Sequence, residues 1–196
     1  VAKLDITTQT RGIDKFLETV DNPLHRRIIS NYRRHAIFEI CGYKDRIFTP
    51  DMTVEHPRYY VNADGNSVTL DGRDEVLTFY GSLEEREATV TVVEDEQLAV
   101  ADWGFASEAW FNSFVPGALL PDRWDADPDK LYIYRQYLCM HWPYDEQGRM
   151  IGEHVFEHTA IAHVNEVDEK DYITLSEARE KLLPLQQELP HLSAAN

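Results

Sequence analysis

The chain has 196 residues, 43% of them hydrophobic, enough for one sizeable core and too few to require a second domain. With 19 basic against 35 acidic residues the formal charge is −16, which argues against nucleic acid and anionic membranes as partners, because both are bound chiefly by clustered Lys and Arg. Residues 1–30 contain no apolar run of signal-peptide length, and no stretch of about 18 uninterrupted apolar residues occurs, so a soluble, cytoplasmic protein is expected. Cys41 and Cys139 stand singly in apolar contexts without C-x-x-C spacing, and are expected as buried, reduced thiols.

Residues 1–22 are polar, with a short helical pattern at Ile13, Phe16, Leu17 and Val20, and read as an arm packed on the domain or on a neighbour. Asp21-Asn22-Pro23 then opens a helix with a capping side chain and proline in the first turn. Leu24, Ile28, Ile29, Tyr32, Ala36, Ile37 and Ile40 make one apolar stripe that ends near Gly42, with His35 in its reach. On this pattern Tyr32 is either a core aromatic with a satisfied hydroxyl or a donor into an enclosed space.

A strand signal at Met52–Glu55 runs into His56-Pro57, and a polar turn follows. Proline keeps His56 out of the helical region, so the imidazole at the end of a half-buried strand can point into whatever the strand encloses. Asp71-Gly72-Arg73-Asp74 next opens a helix with Val76, Leu77, Phe79 and Tyr80 at helical spacing. Ala88–Val93 and Leu98–Phe114 alternate and are expected as a hairpin turning at the acidic run Glu94-Asp95-Glu96-Gln97. In the second strand Leu98, Val100 and Asp102 share a face, with Ala99, Ala101 and Trp103 on the other. Asp102 is then either a strand-edge carboxylate in water or a buried one, and a buried one would serve as a catalytic acid or orient a histidine.

The segment 115–130 holds three prolines and four aspartates, more chain than a hairpin needs, and reads equally as a lid in which Leu119, Leu120 and Trp124 close over a ligand or as a dimer contact. Leu131–Tyr144 and Arg149–Val167 form a last strand pair around the turn Asp145-Glu146-Gln147-Gly148. The density of Tyr132, Tyr134, Tyr137 and Trp142 suggests a thick core or a pocket for a flat organic compound, with Gln136, Cys139 and His141 as polar or reactive interruptions. A C-terminal helix, within 174–190, starts in the cap region Thr174–Ser176 and is bent or ended by Pro184 and Pro190.

His154-Val155-Phe156-Glu157-His158 matches a zinc-peptidase pattern that needs a helix, but its setting after a hairpin turn favours a strand, where four residues separate the histidines by roughly 13 Å. No metal site is expected there. No Gly-rich phosphate loop or nucleophile elbow occurs, so no nucleotide or other cofactor is implied.

Phe48, Pro50-Asp51, Thr53-Val54-Glu55, Pro57, Gly72, Phe79-Tyr80 and Ser82-Leu83 resemble the corresponding segment of bacterial ketosteroid isomerases, within the nuclear transport factor 2-like, or SnoaL-like, superfamily. The resemblance implies an α+β fold in which a curved, mostly antiparallel sheet forms a conical barrel around helices, and a homodimer. In those isomerases the position of His56 holds the carboxylate base, and an ungapped count puts Tyr32 on the tyrosine that donates to the substrate oxyanion. Their second donor, a protonated carboxylic acid, falls near Met140 and is missing, with His141 beside it.

The resulting expectation is a cofactor-free lyase, dehydratase or isomerase that abstracts a proton from a small apolar, aromatic or polycyclic compound. His56, Tyr32, Asp102 and His141 are its candidate catalytic residues, and His35, Phe79, Trp103, Trp124 and Trp142 its candidate substrate contacts. The missing acid donor favours lyase or dehydratase over double-bond isomerase. The alternative is a non-catalytic binding or assembly subunit, such as the small subunit of a ring-hydroxylating dioxygenase.

Overall fold

The structure, a computed structural model, describes residues 3–63 and 65–192. Its organising element is α2 (Pro23–Ile40), which begins as the sequence dictates: Asn22 Oδ1 accepts from the backbone amides of Leu24 and His25, at 2.9 and 3.2 Å. Ile28, Ile29, Tyr32, His35, Ile37 and Ile40 are all buried along it, and Gly42 takes a positive φ of 66° just beyond its end. Upstream, a 3-10 turn at Ile6–Thr10 and α1 (Arg11–Leu17) form the expected arm, fixed by buried Ile6 and Ile13. The short α3 (Lys44–Ile47) follows α2.

The sheet departs from its predicted boundaries in three places. β1 (Thr53–Ala63) does not end at Glu55; it runs through His56-Pro57 and pairs with β2 (Asn66–Asp71). Pro57, which has no N–H to give to a ladder, is tolerated beside a register shift between Thr53 and Arg58, and its carbonyl accepts from Gly72 N at 2.9 Å. After α4 (Arg73–Glu85) comes β3 (Thr91–Ala101), and here the acidic run is a bulge within the strand rather than a turn. Glu94 pairs with Trp110 and Gln97 with Glu108, leaving one extra residue on β3, and Asp95 takes φ 55°. The chain reverses instead at Asp102-Trp103, before β4 (Gly104–Pro116).

β5 (Leu131–Pro143) and β6 (Met150–Glu157) form the last hairpin, but pairing with β5 breaks after Glu157 and resumes in β7 (His163–Glu166). The strand order is β2-β1-β6-β5-β4-β3, with β1 and β6 parallel and the other pairs antiparallel. Because that path ends at β2 and β3, the curved sheet is an open cone around α2. The C-terminal helix α5 (Leu175–Leu182), capped by Thr174, stops short of the predicted end because Pro184 turns the chain into a 3-10 segment.

Two apolar clusters follow from this arrangement. One joins α2, α4 and the inner sheet face through Ile28, Tyr32, Tyr59, Tyr80, Phe105 and Trp142. The other joins Ile37, Ile40 and Cys41 to α5, β3 and β4. No helix among the described residues is long and apolar enough to cross a membrane.

Candidate active site

Between α2, α4 and the inner sheet face lies a cavity of about 240 Å³. Tyr32, Ala36 and Glu39 face it from α2, Phe79 and Tyr80 from α4, Tyr59 and Val61 from β1, Val93 from β3 and Phe111 from β4. β5 contributes Gln136, Leu138, Met140 and Trp142, and β6 contributes Glu153 and Val155. The wall is therefore mostly aromatic and aliphatic, with a few carboxyl and hydroxyl groups set into it.

The most costly of these groups is Glu153, a carboxylate that is only 6% exposed. Its Oε1 accepts from the Tyr80 hydroxyl at 2.9 Å and lies 3.2 Å from His35 Nε2. The same imidazole nitrogen is 3.1 Å from Tyr80 Oη and 3.4 Å from Glu39 Oε2. Burial pushes the Glu153 carboxyl up to about 7; His35 and hydrogen bonds from Tyr59 and Tyr80 pull it down, while Glu39 pushes it further up. Such a group is ionised in part at neutral pH and holds its negative charge out of water, as a general base for a carbon acid requires.

One turn of α2 earlier, Tyr32 donates to Glu96 Oε1 at 2.6 Å. Burial raises the Glu96 carboxyl to about 7 against the lowering effect of that hydrogen bond. Trp142 packs edge-on against both Tyr32, at 5.2 Å, and His35, at 4.8 Å. Its Nε1 is buried without a hydrogen-bond partner among the described residues.

The predicted site residues divide. Tyr32, Phe79 and Trp142 line the cavity, and buried His35 supports it from behind Glu153. His56 does not face it: the inward positions of β1 are Pro57, Tyr59 and Val61, so His56 turns outward with Arg58 and Tyr60. Its ring is 69% exposed and bonds Asp71 Oδ1 at 2.9 Å, a carboxylate that Arg58 also engages. Asp102 falls in the β3–β4 turn with its side chain 85% exposed, 2.8 Å from His25 Nε2 rather than beside His141.

His141 lies on the outer sheet face, opposite His154 and near the exposed Trp103 ring, so neither His141 nor Trp103 reaches the cavity. Trp124 in the 115–130 segment packs on Tyr134, at 5.5 Å, within a separate small cluster. Cys41 is buried as expected and its thiol is pushed up to about 11 by burial, but Cys139 is exposed, because odd positions of β5 face outward there. His154 sits in β6, as its strand reading requires, and no group of three or more His, Cys, Asp or Glu among the described residues is arranged to hold a metal ion.

Sequence reading missed Glu153, Glu39 and Glu96. For Glu153 a signal existed: it shares strand parity with Val155, and Gly152 before it marks a kink. A Cβ at Gly152 would lie 1.8 Å from the Arg58 carbonyl oxygen, so only glycine allows the approach of β1 and β6 that turns Glu153 inward.

No family model and no curated protein matches the sequence. Among solved structures, a candidate polyketide cyclase from Xanthomonas campestris pv. campestris superposes with a TM-score of 0.52 at 10% identity, over 70% of this chain and 94% of that one. SalBIII, an epoxide hydrolase/cyclase-like enzyme of pyran ring formation in polyether salinomycin, gives 0.48 at 16% identity, over 72% and 95% of the two chains. The chain thus shares the fold of the candidate polyketide cyclase, a cone of the nuclear transport factor 2-like type.

Proposed function

We propose that this protein is an acid-base enzyme that abstracts a proton from carbon next to a carbonyl group in a small, largely apolar compound, with Glu153 as the base. The observation that carries the reading is a cavity-facing carboxylate, buried and raised toward neutrality, held by Tyr80 and His35. As the carbon–hydrogen bond breaks, its electron pair moves onto the carbonyl oxygen. Tyr32, whose ring stands in the cavity wall, is the candidate donor to that oxyanion when its hydroxyl is released from Glu96, and a low-dielectric wall strengthens such a bond. His35 acts as a positioning residue, fixing the carboxylate and stabilising its charge.

The cavity of about 240 Å³ falls below the roughly 300–1,000 Å³ of usual ligand pockets, which supports a one- or two-ring substrate over a polycyclic one. Lyase, dehydratase and isomerase outcomes all begin with this step, and the fold shared with a candidate cyclase is compatible with each. We also propose that the chain acts as a homodimer through its outer sheet face.

Proton abstraction is measurable without the natural substrate. The protein incubated with 1-indanone in deuterated buffer should accelerate exchange of the ketone's α-hydrogens, read by NMR. Glu153→Gln should lower that rate by roughly 100-fold or more, the usual contribution of a general base. Wild-type exchange no faster than buffer across a set of one- and two-ring ketones, or full exchange by the Gln variant, would overturn the assignment.

A further inference from the structure

Tyr32 stands in the cavity wall, yet its hydroxyl proton is directed away from the cavity, to Glu96 Oε1 at 2.6 Å. A phenol carries one proton, and an ionised carboxylate only accepts, so Tyr32 cannot serve Glu96 and a bound ligand with the same strength at once. A protonated Glu96 reverses this: its own O–H can donate to the phenol oxygen, and the phenol proton is then free to turn into the cavity.

The placement of Glu96 is a built feature. Val93 faces the cavity from β3, and without the bulge at Glu94–Gln97 the strand alternation would carry Glu96 to the opposite face. The extra residue, with Asp95 in the left-handed region at φ 55°, resets the alternation so that Glu96, Leu98 and Val100 all turn toward the core. Bulges that re-aim one side chain are frequent beside active sites. Glu96 also lines two grooves beneath the N-terminal arm, one with Arg11 and Lys15 and the other with Phe16 and Thr19, so its carboxyl has a route to solvent protons independent of the cavity mouth.

We propose that Glu96 gates Tyr32: an ionised Glu96 holds the phenol proton in the wall, and a proton on Glu96, taken up through the groove under the arm, releases Tyr32 to donate to a carbonyl oxygen in the cavity. The proposal rests on the reading of the cavity as a carbonyl site. Burial places the Glu96 carboxyl at about 7, so the two states interchange near neutrality. The charged groups facing the pair are few. Arg11 and Lys15 lie across the groove, and Glu94 and Asp95 flank Glu96 on β3. Glu94 is engaged by Arg135 and Asn112, while Asp14 of α1 is engaged by Arg33. Glu39 and Tyr144 bear on the Tyr32 side, and both raise its pKa.

The test is the pH dependence of binding of 1-indanone, a neutral ketone with one acceptor and no titrating group, followed by calorimetry from about pH 6 to 8. It is run in the Glu153→Gln protein, so that the buried cavity carboxyl raised toward neutrality does not titrate in the same range. Affinity should fall about tenfold as pH rises, the worth of one hydrogen bond. Tyr32→Phe should bind at the weak level at every pH. Glu96→Gln, whose amide donates to the phenol as the protonated acid does, should bind at the tight level throughout.

Affinity that does not change with pH, or a pH dependence that survives Tyr32→Phe, overturns the gate while leaving Glu153 as base, provided the exchange assay still separates wild type from Glu153→Gln. Absence of indanone binding at all pH values overturns the carbonyl site and the gate together.

Discussion

Burial raises a carboxylate toward neutrality, and this separates Glu153 from His56, Asp102 and His141, the proton-transfer candidates that the local sequence pattern offered first. His56 is of the residue type that most often serves as a general base, but its ring is in water and bound to Asp71. Solvent-exposed pairs of that kind contribute little, so His56→Ala should leave the protein folded and ketone exchange within about twofold of wild type. Loss of exchange in His56→Ala with Glu153 intact would reverse the assignment. His35 gives a sharper test of the buried cluster. The base works when ionised, so in the Glu96→Gln background, where Tyr32 stays free to donate at every pH, exchange should rise with pH through the Glu153 value of about 7 and level off above it. His35 is the strongest of the influences that lower that value, so His35→Leu should move the rising limb to higher pH. A merely structural role for His35 would change the rate without moving the limb.

At the scale of elements, the site is assembled by interruptions in strands. At Gly152 β6 lies so close against β1 that any side chain there would meet the Arg58 carbonyl. Gly152→Ala should therefore cost about 1–3 kcal/mol or more in urea unfolding, as overpacking does, and should lower exchange because Glu153 moves with the strand. An Ala variant as stable and active as the parent would show that β6 can part from β1 freely. The same interruptions explain what could be read in advance. α2 was legible from end to end, since its cap, proline and apolar stripe lie within one stretch of chain, and with it came Tyr32 and His35. Phe79 and Trp142 followed from helical spacing and aromatic density. Bulges are settled by a partner strand far away in sequence, so the acidic run 94–97 looked like a turn, Asp102 seemed to lie inside a strand, and Glu96 and Glu153 were passed over. His56 was misplaced because the proline after it was taken as the end of β1.

Over the whole molecule, the inner sheet face is occupied by α2 and the cavity, while the outer face carries an apolar surface that nothing among the described residues covers. Trp103 is 51% exposed, Phe156 48% and Tyr60 37%, although the net charge of −16 shows no shortage of polar residues for a surface. These side chains are contiguous. Tyr60 packs on His154 at 4.7 Å, His154 pairs across β6–β5 with His141, and His141 meets Trp103, while Phe156 lies opposite Cys139 in the next row. Contiguous apolar patches of this kind on soluble chains mark association sites, and a self-complementary sheet face suits a twofold dimer. A dimer is thus expected by light scattering at micromolar concentration, and Phe156→Glu, which sets a like charge at the centre of the face in both copies, should give a monomer. The cavity lies on the inner sheet face, away from the proposed contact, so that monomer should retain ketone exchange near the parent rate. A parent protein that is monomeric at micromolar concentration would remove the dimer, whereas a Phe156→Glu monomer that loses exchange while remaining folded would show that the partner shapes the cavity from outside.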